Sequence, residues 1–137
     1  MGKHLNYGMI GCGMMGQEHL RNIALLDDTS VIGIVEPDPG MRAEAAKLAP
    51  NAIFYDTIES LLDDERLDCL VIVSPNFCHA DQLLEIFSRR ALPILVEKPL
   101  FTDPSDIVRL KNFEKNYPAP VWVAMEYRYM PPVTALI

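Results

Sequence analysis

Short apolar runs alternate with amphipathic stretches along the whole chain, and polar or proline-containing breaks separate them. Residues 5–10 form an apolar run of strand length, and residues 31–35, 52–55, 69–73, 93–96 and 121–125 repeat it. The intervening segments carry helical spacing instead. After Gly16 a helix runs to about residue 26 with Leu20, Ile23 and Ala24 on one face, and Asp27 and Asp28 lie in the following turn. Residues 39–49 predict a second helix with Met41, Ala45 and Leu48 inward and Arg42, Glu44 and Lys47 outward, stopped by Pro50. Thr57 reads as the N-cap of a helix that buries Ile58, Leu61 and Leu62. Ala80, Leu83, Leu84 and Phe87 mark the next helix, whose end suits Arg89 and Arg90 electrostatically. Residues 103–115 predict the last full helix, with Pro104 in its first turn and Ile107, Leu110 and Phe113 inward. Strand and helix alternate throughout, which predicts an α/β fold with a doubly wound parallel sheet and right-handed crossovers. Pro37, Pro75 and Pro99 each follow the carboxyl end of a predicted strand, the edge where such sheets bind ligands.

The first strand runs into Gly11, Gly13 and Gly16, spaced G-x-G-x-x-G. Gly11 lets the strand turn sharply, Gly13 removes a side chain where a pyrophosphate approaches the main chain, and Gly16 lets the helix lie close to the sheet. Phosphates then sit on the helix N-terminus, facing unpaired amides around Met14 and Met15. Glu36 ends the second strand twenty positions after Gly16, where a carboxylate accepts both hydroxyls of an adenosine ribose. The same charge repels a 2′-phosphate, and Pro37, Asp38 and Pro39 bring no Arg or Lys to bind one, so NAD is favoured over NADP. Two other readings compete: a glycine-tightened turn without a ligand, and a methyltransferase-type nucleotide fold. The latter usually carries an acid just before the glycines, where this chain has Asn6 and Tyr7.

Composition narrows the rest. The chain of 137 residues suffices for one domain with a real core, and half of it is apolar. A net charge of −7 without a basic stripe argues against a nucleic-acid partner. The acidic cluster Asp56, Glu59, Asp63, Asp64, Glu65 and Asp68 reads as a solvated helix face and loop. Residues 1–7 lack the apolar core of a secretion signal, and no stretch approaches a membrane span. Cys12, Cys69 and Cys78 form neither an even disulfide set nor a close metal-binding pair, which predicts reduced thiols in a cytoplasmic protein without a metal site. Cys12, beside a helix N-terminus, is either an activated thiol or a small residue that fits a tight turn.

Together with the glycine loop, residues 74–79 (SPNFCH) and 97–99 (EKP) make the chain resemble the Gfo/Idh/MocA family of NAD(P)-dependent oxidoreductases, which act mostly on sugars, polyols and related compounds. The resemblance runs through Arg128, Pro131 and Pro132, which mark the exit from the family's nucleotide domain. It implies a Rossmann domain at residues 1–126 and, at 127–137, an exit segment and the start of a second α/β domain that is otherwise absent. It makes Gly11, Gly13 and Gly16 the pyrophosphate loop and Glu36 the ribose acceptor, and lays Ser74, Pro75 and Asn76 along the nicotinamide ribose. His79 either touches the cofactor or serves the helix start by hydrogen bonding. Arg128 either borders the cofactor pocket or forms a helix-to-sheet ion pair. Lys98 is the expected catalytic residue: a cation near the reacting hydroxyl stabilises a developing alkoxide and relays its proton. A surface Glu–Lys pair is the plain alternative. Glu97 either holds the Lys98 ammonium or contacts the nicotinamide side, and the Lys98–Pro99 peptide is expected to be cis.

The function implied is that of an NAD-binding domain of an oxidoreductase transferring a hydride between a nicotinamide cofactor and a sugar, polyol or related substrate. Such a carbohydrate-like substrate turns over only with a second domain or partner chain. The rival reading is a non-catalytic NAD-sensing or partner-binding module. Relatives associate mainly through the second domain, so the resemblance leaves room for a homo-oligomer without specifying one.

Overall fold

The computed structural model describes residues 2–136. Its elements, in chain order, are β1 (Leu5–Ile10), α1 (Met14–Ile23), β2 (Thr29–Val35), α2 (Pro39–Leu48), β3 (Ile53–Tyr55) and α3 (Ile58–Leu62). These are followed by β4 (Cys69–Ile72), α4 (His79–Arg89), β5 (Ile94–Glu97), α5 (Asp106–Glu114), β6 (Val121–Ala124) and a single turn, α6 (Pro131–Thr134). Short 3₁₀ turns occupy Asn76–Cys78 and Glu126–Tyr129. The six strands form one sheet in the order β3-β2-β1-β4-β5-β6, and every neighbouring pair is parallel. This is the doubly wound arrangement expected from the alternation of elements, with the strand order reversing between β1 and β4.

Alternation along the strands separates two cores. Met9, Ile34, Val71 and Val73 pack with Leu20 and Ile23 of α1 and Ala45 of α2. On the other face Ile10, Leu70, Ile72, Ile94 and Val96 pack with Leu61 of α3, Leu83 and Ile86 of α4 and Leu110 of α5. Thr57 caps α3 as expected, accepting from the Ser60 amide at 3.1 Å, and α3 buries Ile58, Leu61 and Leu62. Beyond α1 the first face carries no helix over β5 and β6 among the described residues. An apolar groove of about 760 Å³ lies there, lined by Tyr7, Leu95, Trp122 and Tyr129 among others.

Several details depart from the sequence reading. Helix α1 stops at Ile23, so Ala24, expected inward, is exposed, and Leu25 and Leu26 lie exposed in the turn. Met41 is exposed rather than packed, because α2 turns only Ala45 fully inward. Helix α5 begins at Asp106, which leaves Pro104 in the preceding turn, and Phe113 is exposed. The aromatic packing on that side comes from Tyr117, whose ring stacks at 4.4 Å on Phe87 and whose hydroxyl donates to the Leu92 carbonyl at 2.6 Å. Arg90 serves α3 rather than its own helix: its guanidinium donates to the carbonyls of Leu62, Asp64, Glu65 and Leu67. Of the segment read as an exit from the domain, Ile137 lies outside the described residues, as does Met1 at the other end.

The loop that Arg90 closes holds one strongly paired acid. Asp64 accepts from the Tyr55 hydroxyl at 2.9 Å and from Arg66 Nε at 2.8 Å and Nη2 at 2.6 Å. Hydrogen bonding from Arg66 holds its carboxyl well below the usual carboxylate range. A depressed native titration stabilises the fold fully above the unfolded value of about 4, and the contribution is lost as pH falls through the native value. Urea denaturation should therefore show Asp64→Asn less stable than the wild type by a constant margin between pH 5 and 7, and that margin should shrink as pH falls below about 4.

Candidate functional site

Parallel pairing sets Ile10 opposite Val35 on one side and Ile72 on the other, so the loops after β1, β2 and β4 leave the sheet level with one another. Gly11 turns there with φ +89°, its amide donating to the Val35 carbonyl at 2.9 Å. A β-carbon at Gly11 would lie 2.6 Å from the Ser74 main chain, and one at Gly16 would lie 2.8 Å from the Gly11 carbonyl oxygen. Gly13 differs, since a β-carbon there would meet nothing nearer than Met41 Sδ at 3.9 Å. Gly11 and Gly16 thus close the turn, while Gly13 faces open space: a cavity of about 1030 Å³ along the carboxyl edge of the strands. That volume is at the upper end of the roughly 300–1,000 Å³ of small-molecule and cofactor sites.

Met14 and Met15 line the same cavity at the start of α1. No side chain caps this helix and no acid lies in its first turn, whereas Asp38 caps α2 and Thr57 caps α3. Its first amides and the positive end of its dipole are left to an anion in the cavity. A bare main-chain cradle with uncapped amides is what a dinucleotide pyrophosphate needs, so the residues present fit that group.

Glu36 is 6% exposed; its Oε2 accepts from the Cys12 amide at 2.6 Å and its Oε1 from the Asp38 amide at 2.9 Å. An ionised carboxylate offers about four acceptor positions, so each oxygen keeps one for a ligand hydroxyl. Asp38, Asp56, Glu59 and Glu85 add further acid to the lining, and among the described residues Lys98 is the one cation in it. Cys12 is fully buried, and burial, reinforced by Glu36, pushes its thiol up to about 12. The activated-thiol reading is therefore overturned: the helix N-terminus does not offset loss of water and a neighbouring carboxylate, and Cys12 is a neutral residue of the turn.

Ser74, Pro75, Asn76, Glu97 and Lys98 all line the cavity. The Ser74 hydroxyl donates to Gln82 Oε1. Lys98 is exposed, makes no ion pair among the described residues, and is followed by a cis peptide to Pro99. Glu97 does not hold its ammonium. Its Oε1 lies 2.8 Å from Nε2 of His19 on α1, and its Oε2 lies 3.3 Å from the Lys98 amide. His79 is fully buried outside the cavity lining, its Nδ1 lying 2.7 Å from the Pro99 carbonyl and its Nε2 2.9 Å from that of Ser74. Both contacts join the strand-end loops to the start of α4. Arg128, exposed in the turn after β6, neither lines the cavity nor forms an ion pair among the described residues. Asp38, Met41 and Gln82 were missed as lining residues, and His19 as the partner of Glu97. The available signal for His19 was its place one helical turn after Met15. Among the described residues, no group of three or more His, Cys, Asp or Glu is placed to hold a metal ion, and no helix is long and apolar enough to cross a membrane.

Residues 5–125 match the model of an oxidoreductase family with an NAD-binding Rossmann fold, GFO_IDH_MocA. The chain belongs to the Gfo/Idh/MocA family. An inositol 2-dehydrogenase of Leifsonia xyli subsp. xyli is 34% identical over 117 residues, covering 85% of this chain and 34% of that protein. The rhizopine catabolism protein MocA of Rhizobium meliloti is 27% identical over 130 residues, covering 94% and 40%. Among solved structures, myo-inositol dehydrogenase from Lactobacillus casei in complex with NAD(H) and myo-inositol superposes with a TM-score of 0.88 at 27% identity, covering 96% of this chain and 40% of that one. The chain thus spans about a third of the length of the curated inositol dehydrogenases it matches. The matched region is the NAD-binding Rossmann fold of that oxidoreductase family.

Two outcomes follow from the loop geometry. Gly13→Val should leave thermal stability nearly unchanged yet abolish quenching of protein fluorescence by NADH, while Gly11→Ala should lower the melting temperature, because a side chain at its positive φ meets the Ser74 main chain. Cys12 should resist alkylation by iodoacetamide at pH 8 in the native chain and react once urea unfolds it, read by peptide mass spectrometry.

Proposed function

We propose that this chain is the coenzyme-binding part of an oxidoreductase that moves a hydride between NAD and a polyol, sugar or related alcohol, with Lys98 handling the proton. The observation that carries this reading is the placement of a single unpaired cation in the same cavity as an uncapped helix start and the open face of Gly13. A bound nicotinamide supplies the hydride acceptor. The chain itself supplies orientation and proton transfer: the α1 amides and Gly13 hold the diphosphate, Glu36 holds the adenosine ribose, and Ser74, Pro75 and Asn76 border the nicotinamide half. In the oxidising direction the neutral Lys98 amine takes the hydroxyl proton; in the reducing direction its ammonium returns one to the carbonyl oxygen.

Preference for NAD over NADP is supported by Glu36 together with Asp38 and Glu59 along the same wall; Asp56, also there, is paired with Arg42. Residues 1–126 act as the coenzyme domain in this reading, and 127–137 lead out of it. A polyol substrate is supported by the names of the relatives, inositol 2-dehydrogenases and a myo-inositol dehydrogenase bound to myo-inositol.

Calorimetric titration of the purified chain tests the proposal. NADH should bind, NADPH should bind roughly tenfold more weakly or worse through charge repulsion, and Glu36→Ala should weaken NADH by roughly tenfold through loss of charged hydrogen bonds. Absence of heat with both coenzymes would overturn it. Binding without polyol oxidation, even when a candidate partner chain is added, would favour the non-catalytic module.

A further inference from the structure

Glu97 stands between two possible partners. The apolar groove over β5 and β6 and the coenzyme cavity share three lining residues, Met15, Glu97 and Glu126. His19 lines only the groove and Lys98 only the cavity, so the Glu97 carboxylate sits in the wall between an imidazole on one side and an ammonium on the other. It is turned to the imidazole: His19 Nε2 and Glu97 Oε1 are 2.8 Å apart, with the two side chains only 19% and 10% exposed. An ionised carboxylate only accepts, so His19 Nε2 carries the hydrogen and donates it. The Lys98 main-chain amide supplies the other, longer contact at 3.3 Å, which leaves the Lys98 ammonium unpaired.

We propose that His19 is a positioning residue: by holding the Glu97 carboxylate against α1 it keeps that carboxylate from pairing with the adjacent Lys98 ammonium, and so leaves the cation free to face a substrate oxygen. The physical reason is desolvation. Glu97 is 8% exposed, and a carboxylate so far removed from water takes the nearest donor available. With His19 present that donor is across the sheet edge on α1. Without it a charged donor within the same cavity lining is Lys98, one residue along the chain, and an ion pair there would tie up the group that must meet substrate. The inference rests on the reading of Lys98 as the proton-handling residue, but its test uses no coenzyme, so the two fail separately.

The test is the rate at which Lys98 is acetylated by sulfo-N-hydroxysuccinimidyl acetate in the folded chain, followed by peptide mass spectrometry with exposed Lys111 as internal reference. Only the neutral amine reacts, and a carboxylate brought within ion-pairing distance shifts an amine's titration by about one unit or more, so His19→Met should slow labelling roughly tenfold. His19→Gln, whose side-chain amide still donates, should stay within about twofold of the wild type. In the double variant His19→Met with Glu97→Gln no charge is left to swing across, and labelling should return to the wild-type rate. Should His19→Met fail to fold, Glu97→Asp carries the test. Its shorter carboxylate no longer reaches His19 and is released toward Lys98, and it should slow labelling in the same way. Unchanged labelling in His19→Met or in Glu97→Asp would overturn the proposal. Equal slowing in His19→Met and the double variant would do so too, because it would mark a structural disturbance that does not pass through the Glu97 charge.

Discussion

One row of main-chain pairings crosses the entire sheet: Tyr55 with Val35, Val35 with Ile10, Ile10 with Ile72, Ile72 with Val96, and Val96 with Val123. Everything chemically distinctive lies just beyond that row. Gly11 follows Ile10, Glu36 follows Val35, Ser74 comes two residues after Ile72, and Glu97 and Lys98 follow Val96. A parallel ladder slipped by one residue would reverse the facing of every side chain along the strand, moving Met9 and Ile10 into each other's cores and lifting Glu36 away from the glycine turn. Both faces of the central strands are buried, so the register is held by fit: each core is packed by side chains of particular size and shape, and a slip would put the wrong ones in each.

As proposed, the site would bind through the main chain more than through side chains and reserve charge for selection. In the proposed reading phosphate recognition falls to amides at the start of α1, which, unlike α2 and α3, carries no side-chain cap. The cavity is otherwise acidic, which would oppose a dinucleotide if those amides and the helix dipole did not act locally on the diphosphate. Glu36 has two structural tasks alongside its proposed ligand contact, since it also accepts from the amides of Cys12 and Asp38. Those contacts fix the carboxylate before any ligand arrives, and its charge adds to the burial that keeps Cys12 a neutral thiol.

Around the loops after β4 and β5, support passes through buried hydrogen bonds between elements distant in sequence. His79 of α4 lies against carbonyls on both strand-end loops, at Ser74 and at Pro99. His19 of α1 meets Glu97 at the end of β5. Both histidines touch the machinery from behind, and the exposed residue between them is Lys98.

The amino-acid sequence alone determined the elements, their parallel arrangement, the glycine turn and the acid after β2, because each depends on local periodicity or on spacing within one strand-turn-helix unit. It also indicated Lys98 and the strand-end prolines, since chain ends at a sheet edge follow from the alternation itself. Tertiary structure decided the rest. Which way Glu97 turns depends on a histidine 78 positions away, the burial of His79 on two loops it bridges, and the state of Cys12 on its burial and a carboxylate from the next strand. The ends of α1 and α5, and the exposure of Met41 and Phe113, likewise reflect how much of each helix the sheet covers. Local sequence carries propensity and period, but solvent exclusion and long-range hydrogen bonding exist only once distant segments have met.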